Sequence, residues 1–544
     1  MTNVTLKRAL LAGVVKGKTD EQLEEMFSMF GLGVEKIDKH EIVLEVPPNR
    51  PDLYSSYGII RALRAFLGKS SRYSFAQPLK FHRIFVEKSV AKVRPYTACA
   101  IVENLRMTPE LLEEIILLQE RLHATLGRER KKFAIGVYPL ESISMPITYT
   151  AKKPNEIKFK PLDSKEEMRG DEILAKHETG RKYAHLLAGF ERYPVFIDAN
   201  GKILSMPPII NSEDTGKVTT TTSNLFIECS GFDFELLNKV VHIICSCLAE
   251  AGGKLRQVRL EGNVKELTPI SKRERWNLPR ELSERLLGMK LSAREVGIAL
   301  ERMEHEVTRE SVQIAPWRVD VLHEVDLVED VGIGIGFSSI SPQLPSRLTL
   351  SDISPYAKFK EKIRELLVGL EMNEVVSYHL VKESELGKSD EQIYLESSKS
   401  EYKALRPSLL LPMLRIISSN KDHAYPQKMF EIGDVFRRAK SETGLEEREM
   451  LIVALSPANF TQAKQVLDYL FSKIGLEFEL EEHKVARLIE ERTGKVVAHG
   501  QELGYLGELH PETLRKWLIK MPVAVFEIDL RKIFEMTQQS EKAE

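Results

Sequence analysis

The stretch Pro316-Trp317-Arg318-Val319-Asp320-Val321-Leu322-His323-Glu324-Val325-Asp326-Leu327-Val328-Glu329-Asp330 joins a proline-led turn to a run of acids. Four of these acids, Asp320, Asp326, Glu329 and Asp330, follow one another at spacings of six, three and one residues. If the second half of the stretch is helical, the last three acids share one helical face. Like charges at such spacings cost about 0.2–0.5 kcal/mol per pair. The cluster therefore needs a metal cation, a basic partner or full solvation.

A similar stretch, Pro48-Asn49-Arg50-Pro51-Asp52, occurs much earlier in the chain, and its surroundings match as well. Each copy begins with a helix whose first residues resemble a capping box, at Thr19 and at Ser292. A short apolar strand follows, over residues 42–46 and 312–314, and the Pro-x-Arg-x-Asp sequence then leads into a second helix. We infer that a small helix-strand-helix module is duplicated.

The first copy provides an internal control on the acids of the second copy. The positions six, nine and ten residues after Asp52 are Gly58, Arg61 and Ala62. The fold of the module therefore does not need the acids. Their presence in the second copy favours a function, although early acids can also stabilise a helix dipole by about 0.3–1 kcal/mol each.

The overall composition is that of a soluble globular protein with several domains. A chain of 544 residues is too long for one hydrophobic core, and 42% apolar with 29% charged residues gives no sign of extended disorder. The net charge of -2 provides no general attraction to nucleic acid or membrane, so any RNA contact must be local. Two basic clusters are candidates for a local contact to RNA, although such runs are usually solvated faces. They are Arg128, Arg130, Lys131 and Lys132, and Lys272, Arg273 and Arg275.

The cysteines and the apolar runs indicate the compartment. Cys99, Cys229, Cys245 and Cys247 show no CxxC spacing, which argues against a structural zinc site and for a reducing environment. There is no signal-peptide core at the N-terminus and no apolar run of the ~18 residues that a membrane span needs. We expect a cytoplasmic protein without a membrane segment.

The patterns predict a multidomain α+β fold. Proline and serine at Pro342, Pro345 and Ser346 mark a linker, and helical and strand-like segments occur on both sides of it. The predicted divisions are a first module over residues 1–80, a middle α+β domain over 90–262, the second module with the acids over 266–345, a larger domain over 349–535 and a polar tail over 536–544.

Six strings occur in a set order along the chain. They are residues 49–53 (NRPDL), 119–128 (QERLHATLGR), 207–213 (PPIINSE), 316–336, 430–436 (FEIGDVF) and 507–512 (GELHPE). Together they resemble the beta-subunit family of phenylalanine-tRNA ligases in its archaeal and eukaryotic-cytoplasmic form. The resemblance spans nearly the whole chain, and the order makes it more specific than any single string.

The resemblance implies that Asp320, Asp326, Glu329 and Asp330 occupy the magnesium-ligand positions of the family, at a site associated with contact to the alpha subunit. Mg²⁺ prefers oxygen, keeps several waters and takes only one or two carboxylates directly, so four acids would combine direct and water-mediated ligands. Zinc is disfavoured because His323 is the only nitrogen or sulfur ligand nearby.

In the middle domain, the resemblance implies an editing activity that hydrolyses tyrosine wrongly attached to tRNA(Phe). An apolar pocket rejects an added hydroxyl only about 10²-fold, so a second site must correct the error. Such a site acts by positioning a water beside the ester more than by a nucleophile. The candidate catalytic residues are Ser212, Glu228 and Ser230, and the candidate substrate-binding residues are Asn211 and Glu213. A satisfied turn and a strand-end polar pair are the alternative explanation.

Several residues depart from the family pattern around this site. Tyr138 and Pro139 replace a His-Asp pair, and Gly216 is inserted after the Asn-Ser-Glu string. Glu228 and Ser230 stand where Asp and Thr are common. These departures favour a retuned or weakened editing reaction, whereas assembly of the synthetase complex is the firmer expectation.

The C-terminal domain resembles the antiparallel-sheet core of a class II synthetase that is catalytically silent. A working core needs an arginine followed by glutamate to hold the ATP phosphates, and a late glycine-rich segment that ends in arginine. Arg406 lacks the following glutamate, and no such late segment occurs. The resemblance therefore implies that ATP and phenylalanine bind a separate alpha subunit, in a heterotetramer of two alpha and two beta chains that acts on tRNA(Phe).

Two other functions remain open from the residues alone. A stand-alone nucleic-acid-binding scaffold could be built on the duplicated modules without a synthetase partner. A magnesium-dependent phosphohydrolase could be centred on the acid run, although the chain has no evident phosphate-binding loop.

Overall fold

The structure is a computed structural model that describes residues 2–69, 73–344, 350–387 and 391–540. It has two compact units, residues 1–344 and 345–544. Both contain helices and sheets, so the prediction of a multidomain α+β fold is confirmed at that level. Within the described ranges, no helix is long and apolar enough to cross a membrane.

The first module is a three-stranded antiparallel sheet with helices. Its sheet order is β1-β3-β2. A capping box at Thr19 starts α2, and Gly31 ends it with a left-handed φ of 90°, which glycine adopts without strain. Its elements are β1 (Thr2–Lys7), α1 (Arg8–Leu11), α2 (Asp20–Phe30), β2 (Gly33–Ile37), β3 (Glu41–Val46) and α3 (Ser56–Phe66).

The middle part of the first unit is built on a ten-stranded sheet. The strand order is β12-β11-β10-β7-β4-β14-β5-β13-β6, with β15 paired to β14. The elements are β4 (Arg83–Val86), β5 (Tyr96–Glu103), α4 (Pro109–Ala124), β6 (Phe133–Pro139), β7 (Ile147–Lys152), β8 (Lys158–Phe159), β9 (Met168–Arg169), α5 (Gly170–Lys176), α6 (Glu178–Tyr183), β10 (Tyr193–Ile197), β11 (Ile203–Met206), β12 (Ile210–Asn211), α7 (Glu213–Gly216), β13 (Leu225–Gly231), α8 (Phe234–Glu250), β14 (Lys254–Gly262) and β15 (Glu266–Thr268).

Strand β13 is buried on both faces. Leu225, Ile227 and Cys229 pack in the core that also contains the apolar face of α8, whereas Phe226 packs in a second core on the opposite face. Because side chains alternate along a strand, Glu228 and Ser230 point to the same side as Phe226. This alternation places a carboxyl group inside an apolar core.

The second module repeats the element order of the first. Its sheet order β16-β18-β17 corresponds to β1-β3-β2, with antiparallel pairing throughout. Each module contains a strand, two helices, two strands and a helix, so the predicted helix-strand-helix repeat omitted the leading strand and one more strand and helix. The elements are β16 (Arg275–Asn277), α9 (Arg280–Leu287), α10 (Ala293–Arg302), β17 (Glu306–Val307), β18 (Ser311–Gln313) and α11 (Glu324–Ile335).

The second unit is built on a seven-stranded sheet of order β19-β22-β23-β27-β26-β25-β24. All neighbours are antiparallel except β19 and β22. The elements are α12 (Pro355–Gly369), β19 (Asn373–Glu374), β20 (Leu380–Lys382), β21 (Tyr402–Leu405), α13 (Leu410–Ser419), β22 (Gln427–Arg438), β23 (Leu445–Ser456), α14 (Phe460–Ile474), β24 (Glu479–Glu482), β25 (Leu488–Ala498), β26 (Gln501–Leu509), α15 (Pro511–Lys516), β27 (Ala524–Asp529) and α16 (Leu530–Ser540).

Some predicted boundaries differ from the structure. The ten-stranded sheet begins at Arg83 and ends at Thr268, outside the predicted limits of 90 and 262. The predicted polar tail starts inside α16, where Met536 is buried in the core, so the tail boundary at residue 536 is wrong. Residues 541–544, and the linker residues Pro345 and Ser346, lie outside the described residues.

Candidate functional site

A cleft of about 440 Å³ lies beside β6, the edge strand of the ten-stranded sheet. Helix α4 forms one wall, and the segment from Ser205 to Val218 forms the other. Side chains of α4 also satisfy the open edge of the strand. His123 Nε2 accepts the Ile135 amide at 2.8 Å, and the Gln119 side-chain amide donates to the Ile135 carbonyl at 3.4 Å. These hydrogen bonds fix α4 against the edge of β6, so the position of this cleft wall is set by the fold.

Glu228 reaches this cleft from the neighbouring strand. It is directly opposite Gly136 in the register of β13 and β6, and it contributes to the cleft wall. A Cβ atom on Gly136 would lie 2.6 Å from Glu228 Oε1 and 2.2 Å from the Tyr138 hydroxyl. Only glycine leaves room at position 136 for the carboxyl group and the phenol together.

Burial controls the charge of Glu228, which is 1% exposed. Burial raises the pKa of Glu228 to about 8, although a hydrogen bond from Tyr138 opposes the shift. The carboxyl group is therefore largely neutral at pH 7. Its Oε2 atom is buried and has no hydrogen-bond partner of normal geometry among the described residues, which is uncommon for a buried polar atom.

Only two of the five predicted editing residues line the cleft, Glu228 and Asn211. Ser212 instead caps α7, because its hydroxyl accepts the Asp214 amide at 3.3 Å. Glu213 accepts the Asp163 amide at 2.9 Å and forms an ion pair with Lys217 at 2.7 Å. Ser230 is buried and accepts a hydrogen bond from Arg94 at 3.3 Å. The catalytic roles of Ser212 and Ser230 stay predictions, and neither residue lines the cleft.

Two polar residues near Glu228 were missed as site residues. The Tyr138 hydroxyl lies 2.8 Å from Ser205 Oγ and 3.1 Å from Glu228 Oε1. Ser205 also lines the cleft. Tyr138 was noted only as a departure from the family pattern, and Ser205 carries no sequence signal, because the two meet Glu228 only when three strands assemble.

The acid run of the second module has a basic partner within the chain. The Arg318 guanidinium binds both oxygens of Asp320 at 2.8 Å and contacts Asp330 at 2.9 and 3.0 Å. His305 Nε2 lies 2.8 Å from Asp330, and His305 Nδ1 accepts the Ala315 amide, so the neutral ring donates to the carboxylate. Burial alone would raise the pKa of Asp330, but Arg318 and His305 hold it below the usual range.

The other two acids have different surroundings. Asp326 caps its own helix, because its Oδ2 accepts the amides of Leu322 and His323 at 2.8 and 2.7 Å. Glu329 is exposed, whereas Asp330 is buried. Asp326, Glu329 and Asp330 lie at i, i+3 and i+4 of α11, but Glu329 and Asp330 are about 100° apart around the helix, so Glu329 faces solvent and Asp330 faces the core.

This arrangement does not fit a magnesium ion. Within the described part of the chain, no group of three or more His, Cys, Asp or Glu side chains is placed to hold a metal. The oxygens of Asp320 and Asp330 bind Arg318, and Oδ2 of Asp326 accepts two backbone amides. Mg²⁺ needs near-octahedral oxygen ligands that are free of such partners. We therefore derive no chemistry through a metal at these acids, and their role as ligands stays a prediction.

The first module contains the same arginine–aspartate ion pair. Arg50 binds both oxygens of Asp52 at 2.9 Å, as Arg318 does with Asp320. The third charged group beside this pair has the opposite sign to its counterpart in the second module. It is Arg61, which contacts Asp52 at 2.7 Å and also binds Glu304 of the second module at 2.7 Å. The Pro-x-Arg-x-Asp sequence is thus a buried structural pair in both copies.

In the second unit, the arginine considered for ATP binding is buried. Arg406 is 1% exposed and forms an ion pair with Glu431 at 2.8 Å. It also donates to the Asp434 carbonyl at 2.7 Å, and a Cβ on Gly433 would lie 2.5 Å from its guanidinium. These contacts leave the Arg406 guanidinium without access to a phosphate.

Comparisons with known proteins agree with this architecture. Residues 276–337 match the family described as tRNA synthetase B5 domain, and residues 340–530 match the phenylalanyl tRNA synthetase beta chain CLM domain. The phenylalanine-tRNA ligase beta subunit of Thermococcus sibiricus is 36% identical over 504 residues, with 90% of each chain covered. That of Archaeoglobus fulgidus is 35% identical over 550 residues, with 98% of this chain and 99% of the relative covered.

A solved structure extends the likeness to three dimensions. The N-terminal fragment of the phenylalanyl-tRNA synthetase beta subunit from Pyrococcus horikoshii superposes with a TM-score of 0.58 at 33% identity. The match covers 61% of this chain and 99% of the fragment. The resemblance found in the six strings is confirmed by these matches. The chain belongs to the family of phenylalanine-tRNA ligase beta subunits, which are members of an aminoacyl-tRNA ligase complex.

Proposed function

We propose that this chain is the non-activating beta subunit of a heterotetramer of two alpha and two beta chains. In that complex, the alpha subunit attaches phenylalanine to tRNA(Phe) with ATP, and this chain supports the reaction. The family supports the assignment, and the buried pair of Arg406 and Glu431 supports a silent synthetase-like unit. The Arg406 guanidinium is buried and already held by Glu431, Ser377 and the Asp434 carbonyl, so it is not available to a phosphate.

The surface of the second unit offers apolar groups to a partner protein. Val376 and Tyr378 are 88% and 82% exposed, and they lie two residues apart in an irregular segment after β19. Large apolar side chains with such exposure mark interaction sites when they occur together. We propose that this segment contacts the alpha subunit.

The first experiment tests whether this chain activates phenylalanine by itself or only supports the alpha subunit. The purified chain should give no ATP-pyrophosphate exchange with phenylalanine, and adding the alpha subunit should produce exchange together with a stable complex in size-exclusion chromatography. Exchange by the isolated chain would overturn the silent assignment. Absence of a complex would instead favour the stand-alone nucleic-acid-binding scaffold.

We propose further that the cleft beside β6 hydrolyses mischarged Tyr-tRNA(Phe). The observation that carries this proposal is the buried, neutral Glu228 with its unpartnered Oε2 in the wall of a cleft that also contains apolar side chains. A buried polar group without a partner is costly unless a ligand or water completes it. Asn211 and Ser205 supply further hydrogen-bonding groups in the same wall.

The second experiment measures deacylation of Tyr-tRNA(Phe) by the reconstituted complex. Glu228→Ala should lower the rate by about 10²-fold or more, since it removes a group that positions the ester or its water. Glu235→Ala is the matched control, because Glu235 is an exposed glutamate at the start of α8. Equal rates for the wild type and Glu228→Ala would remove Glu228 from the site.

A phosphohydrolase centred on the acid run has no comparable support. Asp320 and Asp330 are neutralised by Arg318, and Asp326 is used as a helix cap. The described residues around these acids therefore offer neither a free carboxylate pair nor a metal site of three ligands.

A further inference from the structure

The loop at residues 127–132, here called the basic loop, borders the cleft through Arg130. Arg130 lines the cleft and donates to the carbonyls of Pro208 and Ile209 on the opposite wall, at 3.3 and 2.9 Å. Its guanidinium also lies 4.4 Å from the centre of the Tyr183 ring. One arginine of the loop therefore holds the two walls of the cleft together.

The other basic side chains of the loop are exposed. Arg128, Lys131 and Lys132 point to solvent and form no ion pair among the described residues. The adjacent helix end does not explain them, because Arg121 already provides a positive charge in the last turn of α4. Three exposed positive charges thus lie within two residues of Arg130, which lines the cleft, without an ion-pair partner among the described residues.

The loop backbone is strained. Arg128, Glu129 and Arg130 have φ angles of 48°, 54° and 63°, a run of three left-handed residues without glycine. Such a conformation costs roughly 1–2 kcal/mol per residue. Gly127 makes the tight return from α4, since a Cβ there would lie 2.8 Å from the His123 carbonyl. Backbone hydrogen bonds from Lys132 to Gly127 and from Arg130 to His123 then hold the loop in one shape.

We propose that the basic loop binds the phosphodiester backbone next to the 3′ end of the RNA and so delivers the aminoacyl ester to the cleft. Arg128, Lys131 and Lys132 contact phosphates, and Arg130 keeps them beside the cleft. Phosphate contacts of this kind position a nucleic acid without reading its sequence. This inference rests on the proposed hydrolytic function of the cleft and adds the surface that brings the substrate to it.

The test is steady-state deacylation of Tyr-tRNA(Phe) by the reconstituted complex, with wild type compared with the double variant Arg128→Gln and Lys131→Gln. We expect KM to rise on the order of tenfold and kcat to stay unchanged, because only binding of the RNA is lost. The slope of log(kcat/KM) against log[salt] should become shallower by roughly 1.4, since each lost contact to a single strand contributes about 0.7.

The matched control is the charge-conserving pair Arg128→Lys and Lys131→Arg, which should keep the wild-type KM and salt slope. If the wild type hydrolyses Tyr-tRNA(Phe) and the glutamine variant has the same KM and slope, the basic loop is not the RNA contact, while the hydrolytic function stands. If kcat falls with KM unchanged, the loop acts on the cleft and the inference is also wrong. If the wild type shows no hydrolysis, the proposed function fails and the inference fails with it.

Discussion

At the scale of single residues, Glu228 and Arg318 show how burial changes the meaning of a charged side chain. Glu228 is buried and forms no ion pair among the described residues, and burial raises its pKa more than Tyr138 and Arg94 lower it, so it takes up a proton. Asp330 is equally buried beside Arg318, so it stays ionised. The same side-chain class therefore supplies a neutral cleft group in one place and a structural ion pair in the other.

The raised pKa of Glu228 predicts a pH dependence of stability. Its folded pKa of about 8 exceeds the unfolded value of about 4.3, so the stabilisation is complete below pH 4.3 and is lost as pH rises through 8. This group alone lowers the free energy of unfolding by up to about 1.4 kcal/mol per pH unit in that window. Glu228→Gln should gain stability relative to wild type between pH 5 and 8.5 in urea titrations. Parallel curves for the two proteins would contradict the burial of a neutral carboxyl group.

Arg318 predicts how the chain responds to metal removal. Because Arg318 already neutralises Asp320 and Asp330, EDTA and added Mg²⁺ should give the same Tm for the chain without its partner. Arg318→Gln leaves buried carboxylates unpaired and should lower the free energy of unfolding by about 3–5 kcal/mol. Arg309→Gln, at an exposed position of the same module, should change it by less than about 0.5 kcal/mol. A Tm that falls with EDTA would show that the acids hold a metal after all.

At the scale of elements, α3 and α11 follow the same turn but differ in their charges. Both turns contain an arginine that binds the aspartate two residues later. Helix α3 then presents Arg61, whereas α11 presents Asp330 to Arg318 and His305. The duplicated backbone thus carries opposite charges in these two helices, and each of these charges has a buried partner of opposite sign.

The start of α11 distinguishes a helix cap from a metal ligand. Asp326→Ala removes the acceptor for two backbone amides and should lower stability by about 0.5–2 kcal/mol. Glu329→Ala should change stability by less than about 0.5 kcal/mol, because Glu329 is exposed. Urea midpoints of the two variants provide the comparison. A large loss for Glu329→Ala alone would favour the metal-ligand prediction.

At the scale of the first unit, one side chain connects three parts of the chain. Arg61 binds Asp52 in the first module, Ser246 on α8 at 2.5 Å and Glu304 in the second module. Its guanidinium also lies 4.5 Å from the Trp317 ring centre. One buried guanidinium therefore contacts both modules and the middle part of the unit, which also share a hydrophobic core.

Arg61→Lys tests this connection. Lysine keeps the charge but cannot bind three partners in a planar fork, so the free energy of unfolding should fall by about 3 kcal/mol or more. Arg64→Lys, on the same helix and partly exposed beside Glu250, should cost less than about 1 kcal/mol. Chemical denaturation of both variants gives the measurement. Equal losses would show that the fork geometry of Arg61 contributes nothing.

Much of the architecture could be predicted from local patterns. The capping signals at Thr19 and Ser292 start α2 and α10. The apolar pattern of residues 374–380 predicts a strand, but only the two ends of this segment lie in strands. Its apolar side chains Val376 and Tyr378 are exposed instead, and a pattern of apolar residues cannot distinguish a buried strand from a surface that awaits a partner.

The sequence by itself determined the family, the mixed α+β class, the duplication and the four acids whose charge had to be met. Only the tertiary structure decided which group balances the charge of each acid. Arg318 and His305 hold two acids, a helix start holds the third, and solvent surrounds the fourth. It also decided that Glu228 is neutral beside Tyr138 and Ser205, which come from two other strands. The physical reason is that pairing and desolvation depend on neighbours in space, whereas capping and periodicity depend on neighbours in sequence.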